Sequence, residues 1–201
     1  IVAFSSSNPY PHVALRSGGA EEETPLDPEG PYGWGIVARE SAFRTTQMKN
    51  SEQKVLLYRL AYAQHLGYGV LVDLARMLKA GEPISLAMPA VNLVSQRDAI
   101  DVALRSLSLA DGPPEVLNCC GPVMKVEDIC ARMADIMDVE PMYADEPGET
   151  ALISNDEKRR KLLGDYRDSP DEMIEAAARW VVRGGDYWDL PTKFGRSDHR
   201  Y

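Results

Sequence analysis

Phe4-Ser5-Ser6-Ser7-Asn8-Pro9-Tyr10 and, further along, Tyr32-Gly33-Trp34-Gly35-Ile36-Val37-Ala38-Arg39-Glu40 are the two stretches on which the fold turns. Residues 1–5 form an apolar run that reads as a buried strand and ends in a serine cluster. Residues 9–30, rich in Pro, Gly and Glu, read as a long loop. A loop of that length inside a compact domain is usually functional. Tyr32 then opens a helix predicted to run to about Met48.

The rest of the chain alternates in the same way. Residues 54–60 form a strand, apolar nearly throughout, as parallel strands covered on both faces are. A helix over 69–79 carries Val70, Leu71, Leu74 and Leu78 along one side, and Gly81-Glu82-Pro83 stops it. Strands follow at 90–94 and 116–120. Between them Asp98 is expected to cap a helix running to about Leu109. Helices are predicted over 126–137 and from Asn155 to the breaker Gly164. Ser169 caps the last helix, with Pro170 at its first position and Met173, Ala177, Trp180 and Val181 as its buried stripe. The tail from Gly184 is polar and irregular. Strands alternating with helices predict an α/β chain.

The 201 residues are 44% hydrophobic and 26% charged, an ordinary globular composition. A net charge of −9 argues against a nucleic-acid partner, which needs a basic face. No apolar run is long enough to span a bilayer, and no signal peptide is visible, so no membrane partner is expected. Cys119, Cys120 and Cys130 have no metal-ligand spacing and read as buried thiols of a reducing cytoplasm. His12, His65 and His199 are too scattered for a metal site and read as solvated loop residues. Glu21-Glu22-Glu23 and Lys158-Arg159-Arg160-Lys161 read as solvated faces. Arg59 and Asp98 read as structural.

The chemistry lies in the first two stretches. A tyrosine serves as acid or base only if its phenol is brought from about 10 towards neutrality, which a nearby cation does. The residue one turn after Tyr32, on the same helical face, is Ile36, which carries no charge. A serine hydroxyl on the neighbouring strand can hold the substrate oxygen. Ser6 is the first choice and Ser7 the alternative, since adjacent strand residues face opposite ways.

The serine strand, the loop Glu23-Thr24-Pro25-Leu26-Asp27-Pro28, and Tyr32 with Glu40 eight residues on together resemble the extended short-chain dehydrogenase/reductases, the NAD-dependent epimerase/dehydratase family. Leu57-Tyr58-Arg59-Leu60, Gly67-Tyr68-Gly69, Gly81-Glu82-Pro83-Ile84, Arg97-Asp98-Ala99 and Val116-Leu117-Asn118 with Gly121-Pro122 follow in family order. Leu162-Leu163-Gly164 and the closing helix with Trp180 complete the likeness. Ile36 stands where the family has a lysine that also binds the nicotinamide ribose.

The resemblance implies a partial Rossmann-like, doubly wound parallel sheet with a small C-terminal α/β substrate-binding part. Residues 1–63 would be the second half of the nucleotide-binding domain, and 64–201 a substrate-binding part intertwined with it. Gly33-x-Gly35 and Gly67-x-Gly69 follow the wrong elements to be phosphate loops. About three βα units, roughly a hundred residues, are therefore expected upstream, and without them residues 1–5 and 54–60 would expose strand edges. The resemblance further implies an oxidoreductase or isomerase using NAD or NADP on a sugar or nucleotide-sugar. Tyr32 would be the acid/base and Ser6 or Ser7 its helper. Tyr32, Ser5 and Leu60 would lie at the cofactor, and Asn8, Tyr10 and Trp34 at the substrate. A homodimer through the Tyr32 helix is part of the same expectation. The alternative is a cofactor-binding scaffold that kept the fold and lost the chemistry.

Overall fold

The computed structural model describes residues 1–111, 114–190, 192 and 194. In chain order the strands are β1 (Val2–Ser6), β2 (Val13–Ala14), β3 (Leu56–Leu60), β4 (Tyr62–Gln64), β5 (Ala90–Ser95), β6 (Glu115–Cys119), β7 (Val123–Lys125) and β8 (Thr150–Ala151). The helices are α1 (Gly30–Lys49), α2 (Val70–Ala80), α3 (Gln96–Arg105), α4 (Val126–Met137), α5 (Glu157–Leu163) and α6 (Pro170–Val182).

β1, β3 and β6 form a parallel sheet with β3 in the centre. Its two faces bury different residues, because side chains alternate along each strand. Ala3 and Leu57 pack with Phe43 of α1. Leu56, Tyr58 and Leu117 pack with Ala99, Val102 and Ala103 of α3 on the other side. Helices on both faces make the sheet doubly wound. β3 is paired on both sides, so the strand edge expected at 54–60 is not there. The sheet takes its third strand from residues 115–119, outside the 1–63 segment.

Immediately past β3 the chain enters a second sheet, β4-β5-β7, parallel at β4/β5 and antiparallel at β5/β7. α2, α4 and α6 cover it and share the largest core, with Leu71, Leu74, Leu93, Ile129, Met133 and Ile174 buried. In α6 the buried stripe is Ile174, Ala177, Ala178 and Val181, in place of the stripe predicted through Met173 and Trp180. Ser169 does cap that helix, in a reciprocal capping box with Glu172. Gly121 joins β6 to β7 at φ 74°, where an added Cβ would lie 1.9 Å from the Leu93 carbonyl oxygen, so only glycine fits.

α3 is capped by Ser95, whose hydroxyl accepts the Asp98 amide. Asp98, expected as the cap, instead accepts the backbone amides of Arg167 and Asp168 and ties the approach to α6 onto α3. α3 ends at Arg105, and a 3-10 turn carries the chain to Leu109.

Candidate functional site

β1 and β3 run parallel and end together, Ser6 beside Leu60. In open α/β sheets ligands bind beyond the carboxyl ends of the strands, and a cleft of about 600 Å3 lies there. Ser6, Ser7, Asn8 and Tyr32 form one part of its wall; Tyr62, Gln64, Tyr68 and Gln96 form another. None of the described residues lining it is Lys, Arg, His, Asp or Glu.

The serine strand is held at this edge from below. Ser5 Oγ donates to Glu40 Oε1 at 2.6 Å. Arg59 of β3 donates Nε to Oε1 at 2.9 Å and Nη2 to Oε2 at 2.7 Å. Arg59 Nη1 also donates to the Tyr10 hydroxyl at 2.7 Å, and that hydroxyl donates to Asn118 Oδ1 at 2.9 Å. The network links β1, α1, β3, the 9–30 loop and β6, and Glu40 and Arg59 are each 4% exposed. Burial pushes the Glu40 carboxyl up, but the bonds from Arg59 and Ser5 and the Arg59 charge outweigh it and hold it below the usual carboxylate range. The structural reading of Arg59 therefore holds.

Glu22 extends the same network. It is half-buried, accepts the Asn118 amide at 2.9 Å, and burial raises its carboxyl. The 21–23 run is thus not a uniformly solvated face. Nor is 158–161: Arg159 is buried, paired with Asp156 at 3.1 Å and set over the Tyr166 ring. All three cysteines are buried free thiols.

The sequence-nominated residues divide clearly. Tyr32 is half-exposed and lines the cleft, as do Ser6, Ser7, Asn8 and Leu60. Ser6 Oγ accepts the Asn8 amide at 3.1 Å, which leaves its proton free to donate elsewhere. Ser5 reaches the cleft edge, but its hydroxyl is committed to Glu40. Tyr10, expected at the substrate, is 1% exposed and fixed between Arg59 and Asn118. The 9–30 loop folds its tyrosine into the network instead of towards the cleft. Trp34 is 61% exposed and is not among the cleft residues; two positions past Tyr32 on a helix, it faces another way. Ile36 shares the sheet-facing side of α1 with Gly33 and Glu40 and is 4% exposed. His65 stacks on Trp188, with ring centroids 5.0 Å apart, and His12 is half-buried, so neither is simply solvated. His199 lies outside the described residues.

Tyr62, Gln64, Tyr68, Asn92, Gln96 and Thr192 also line the cleft, and the serine and tyrosine stretches gave no reason to choose them. Gln64 and Asn92 are already spent on backbone. Gln64 accepts the Leu71 amide at the start of α2. Asn92 donates to the Gly121 and Ser154 carbonyls and accepts the Ser154 amide. Gly67-Tyr68-Gly69 was a visible signal for Tyr68. Thr192 arrives from the tail, anchored by its hydroxyl to Asp73 at 2.5 Å, and nothing local in the sequence marks it.

No family model and no curated protein matches this chain. Solved structures do. MoeE5, in complex with UDP-glucose and NAD, aligns at 20% identity with a TM-score of 0.73, over 91% of this chain and 64% of its own. RMD from Pseudomonas aeruginosa, complexed with NADPH, aligns at 21% and 0.70, over 89% and 64%. UDP-glucuronic acid 4-epimerase from Bacillus cereus, in complex with NAD, aligns at 16% and 0.72, over 90% and 61%. The fold is the one these proteins share. It is the Rossmann-like fold that the serine strand, the Tyr32 helix and the motifs after them resemble. The chain spans about 64% of the length of the first of these structures.

Proposed function

We propose that this chain carries the acid/base and sugar-side portion of an NAD(P)-dependent epimerase, dehydratase or reductase acting on a hydroxyl of a sugar or nucleotide-sugar. The observation that carries the reading is the meeting of Tyr32 with Ser6 and Asn8 on one cleft at the carboxyl ends of β1 and β3. The three solved structures described above, whose ligands are NAD, NADPH and UDP-glucose, support the same class.

In this reading Ser6 donates its remaining hydroxyl proton to the substrate oxygen and orients it. Tyr32 takes the proton from that hydroxyl in one direction and returns it in the other. Asn8, beside the first turn of α1, supplies an amide that both donates and accepts to a neighbouring hydroxyl. The donor set suits the nicotinamide-ribose end of the cofactor: Tyr32, the backbone at Ser5 and the apolar Leu60 would hold it. When bound, the nicotinamide supplies the hydride acceptor or donor. None of the described cleft residues carries a positive charge for the pyrophosphate. Pairing of two copies through the outward side of α1, where Trp34 and Met48 are exposed, belongs to the same proposal.

The test is nicotinamide absorbance with NAD or NADP and a panel of sugars and nucleotide-sugars. Turnover that vanishes in Tyr32→Phe, with cofactor affinity retained, supports the reading. Turnover indifferent to that change refutes it. A second reading, a cofactor-binding scaffold without turnover, is favoured by one observation: Ile36 is buried and no lysine, arginine or histidine stands among the described cleft residues. Cofactor binding without turnover would select it.

A further inference from the structure

We infer that the cleft accepts neutral sugars and discriminates against their carboxylate counterparts. The inference rests on the sugar reading above and says which sugars fit. Ser6, Asn8, Tyr32, Tyr62, Tyr68 and Gln96 line the cleft with hydroxyls and carboxamides. Such groups can both donate and accept, and so can every sugar hydroxyl. A carboxylate only accepts, and it brings a charge that needs a paired cation when it leaves water.

None of the described lining residues is charged, and three arginines on flanking elements are engaged elsewhere. Arg59 of β3 is buried and held by Glu40 through two bonds. Arg97, next to Gln96, is paired with Asp168. Arg76 of α2 lies over the Tyr187 ring, 3.7 Å from its centroid. Bringing any of them to the cleft would break a contact already made.

Two matched probe pairs test this: glucose with glucuronate, and UDP-glucose with UDP-glucuronic acid. Within each pair the sugars differ only at C6, hydroxymethyl against carboxylate. Binding to the full protein is measured by calorimetry, and for the free sugars by ligand-detected NMR. The neutral member is expected to bind at least about tenfold tighter in both pairs, since an unpaired charge in a partly dry site costs more than one tenfold step. Gln96→Lys, which sets a cation on the wall at the first turn of α3, narrows the gap. Gln96→Glu, which sets an anion there, widens it, and circular dichroism checks that both variants fold.

Equal or tighter binding of the uronate overturns the inference. So does failure of both pairs to bind, or a gap that moves in neither Gln96 variant. Nicotinamide turnover is scored separately. Turnover without a neutral preference keeps the functional reading and sinks this inference; preference without turnover does the reverse.

Discussion

Glu40→Gln is the most informative single change, because it tests what holds the serine strand to the Tyr32 helix. The substitution keeps the side chain's size and removes its charge. Arg59, 4% exposed, is then left as a buried cation with no carboxylate. Glu40 accepts three bonds, from Ser5 at 2.6 Å and from Arg59 at 2.9 and 2.7 Å. A glutamine oxygen accepts more weakly because the carboxylate charge is gone, and its amide nitrogen faces the Arg59 Nη2 donor from which Oε2 accepted. Removing one member of a buried pair costs about 3–5 kcal/mol. For a chain of this size each kcal/mol lowers Tm by about 2–4 °C, so a fall of roughly 6–20 °C is expected by calorimetry.

The pH dependence follows. The Glu40 carboxyl is held below its ordinary value in the folded chain. Its stabilisation is therefore complete above the unfolded carboxylate value, about 4.3, and is lost as pH falls through the lower folded one. Glu40→Gln removes that part of the acid limb, so the gap between wild type and variant closes on acidification. Glu40→Gln with Arg59→Met should recover part of the loss, since an apolar pair avoids the orphaned cation. A Tm fall below about 2 °C for Glu40→Gln, or a gap constant from pH 7 to pH 3, would refute the network as the clamp.

Tyr32→Phe should lower turnover by about 10²–10⁴-fold, the usual weight of one acid/base group, while fluorescence titration finds cofactor affinity within about twofold of wild type. Ile36→Lys places a cation one turn from Tyr32 but in a buried, sheet-facing position; it is expected to cost about 1–3 kcal/mol in urea titration. Gly121→Ala should destabilise the chain by more than about 2 kcal/mol, because it needs both a left-handed alanine and a shift of the Leu93 carbonyl. Burial pushes the Cys119 thiol up to about 11, the Cys130 thiol up to about 12 and Cys120 upward as well. All three should resist a thiol reagent at pH 8 until denaturant is added.

Which parts of this were legible in the sequence follows from how far each signal reaches along the chain. Helices α2, α4 and α6 carry their periodicity and stop signals locally, and the predicted boundaries lie within a residue or two of the observed ones. β4 and β7, at three residues each, are too short for a period to show, and they exist because β5 lies between them. Tyr10 and Glu22 sit on a loop whose composition says only that it is irregular. Their burial comes from Arg59 and Asn118, which are 49 and 108 residues from Tyr10. Asp98 reads as a cap because a cap is a local device, whereas its partners lie 69 and 70 residues on.

The burial of Ile36 joins the two functional readings to one structural cause. α1 must set one side against the sheet, and Gly33, Ile36 and Glu40 are that side. Tyr32 stands one turn before Ile36 at the rim, where it reaches the cleft. A lysine at 36 would have to run its stem along the sheet and bring its ammonium out beside the phenol. Isoleucine ends in the packing, so the Tyr32 rim stays uncharged, like the rest of the described cleft. The same isoleucine that leaves the phenol without a neighbouring cation would, in the proposed reading, leave an anionic sugar group without one. If the chain turns over substrate, a positive charge that favours the phenolate has to reach Tyr32 from outside the described cleft residues, and one carried on an exposed side chain would make turnover fall as salt is added.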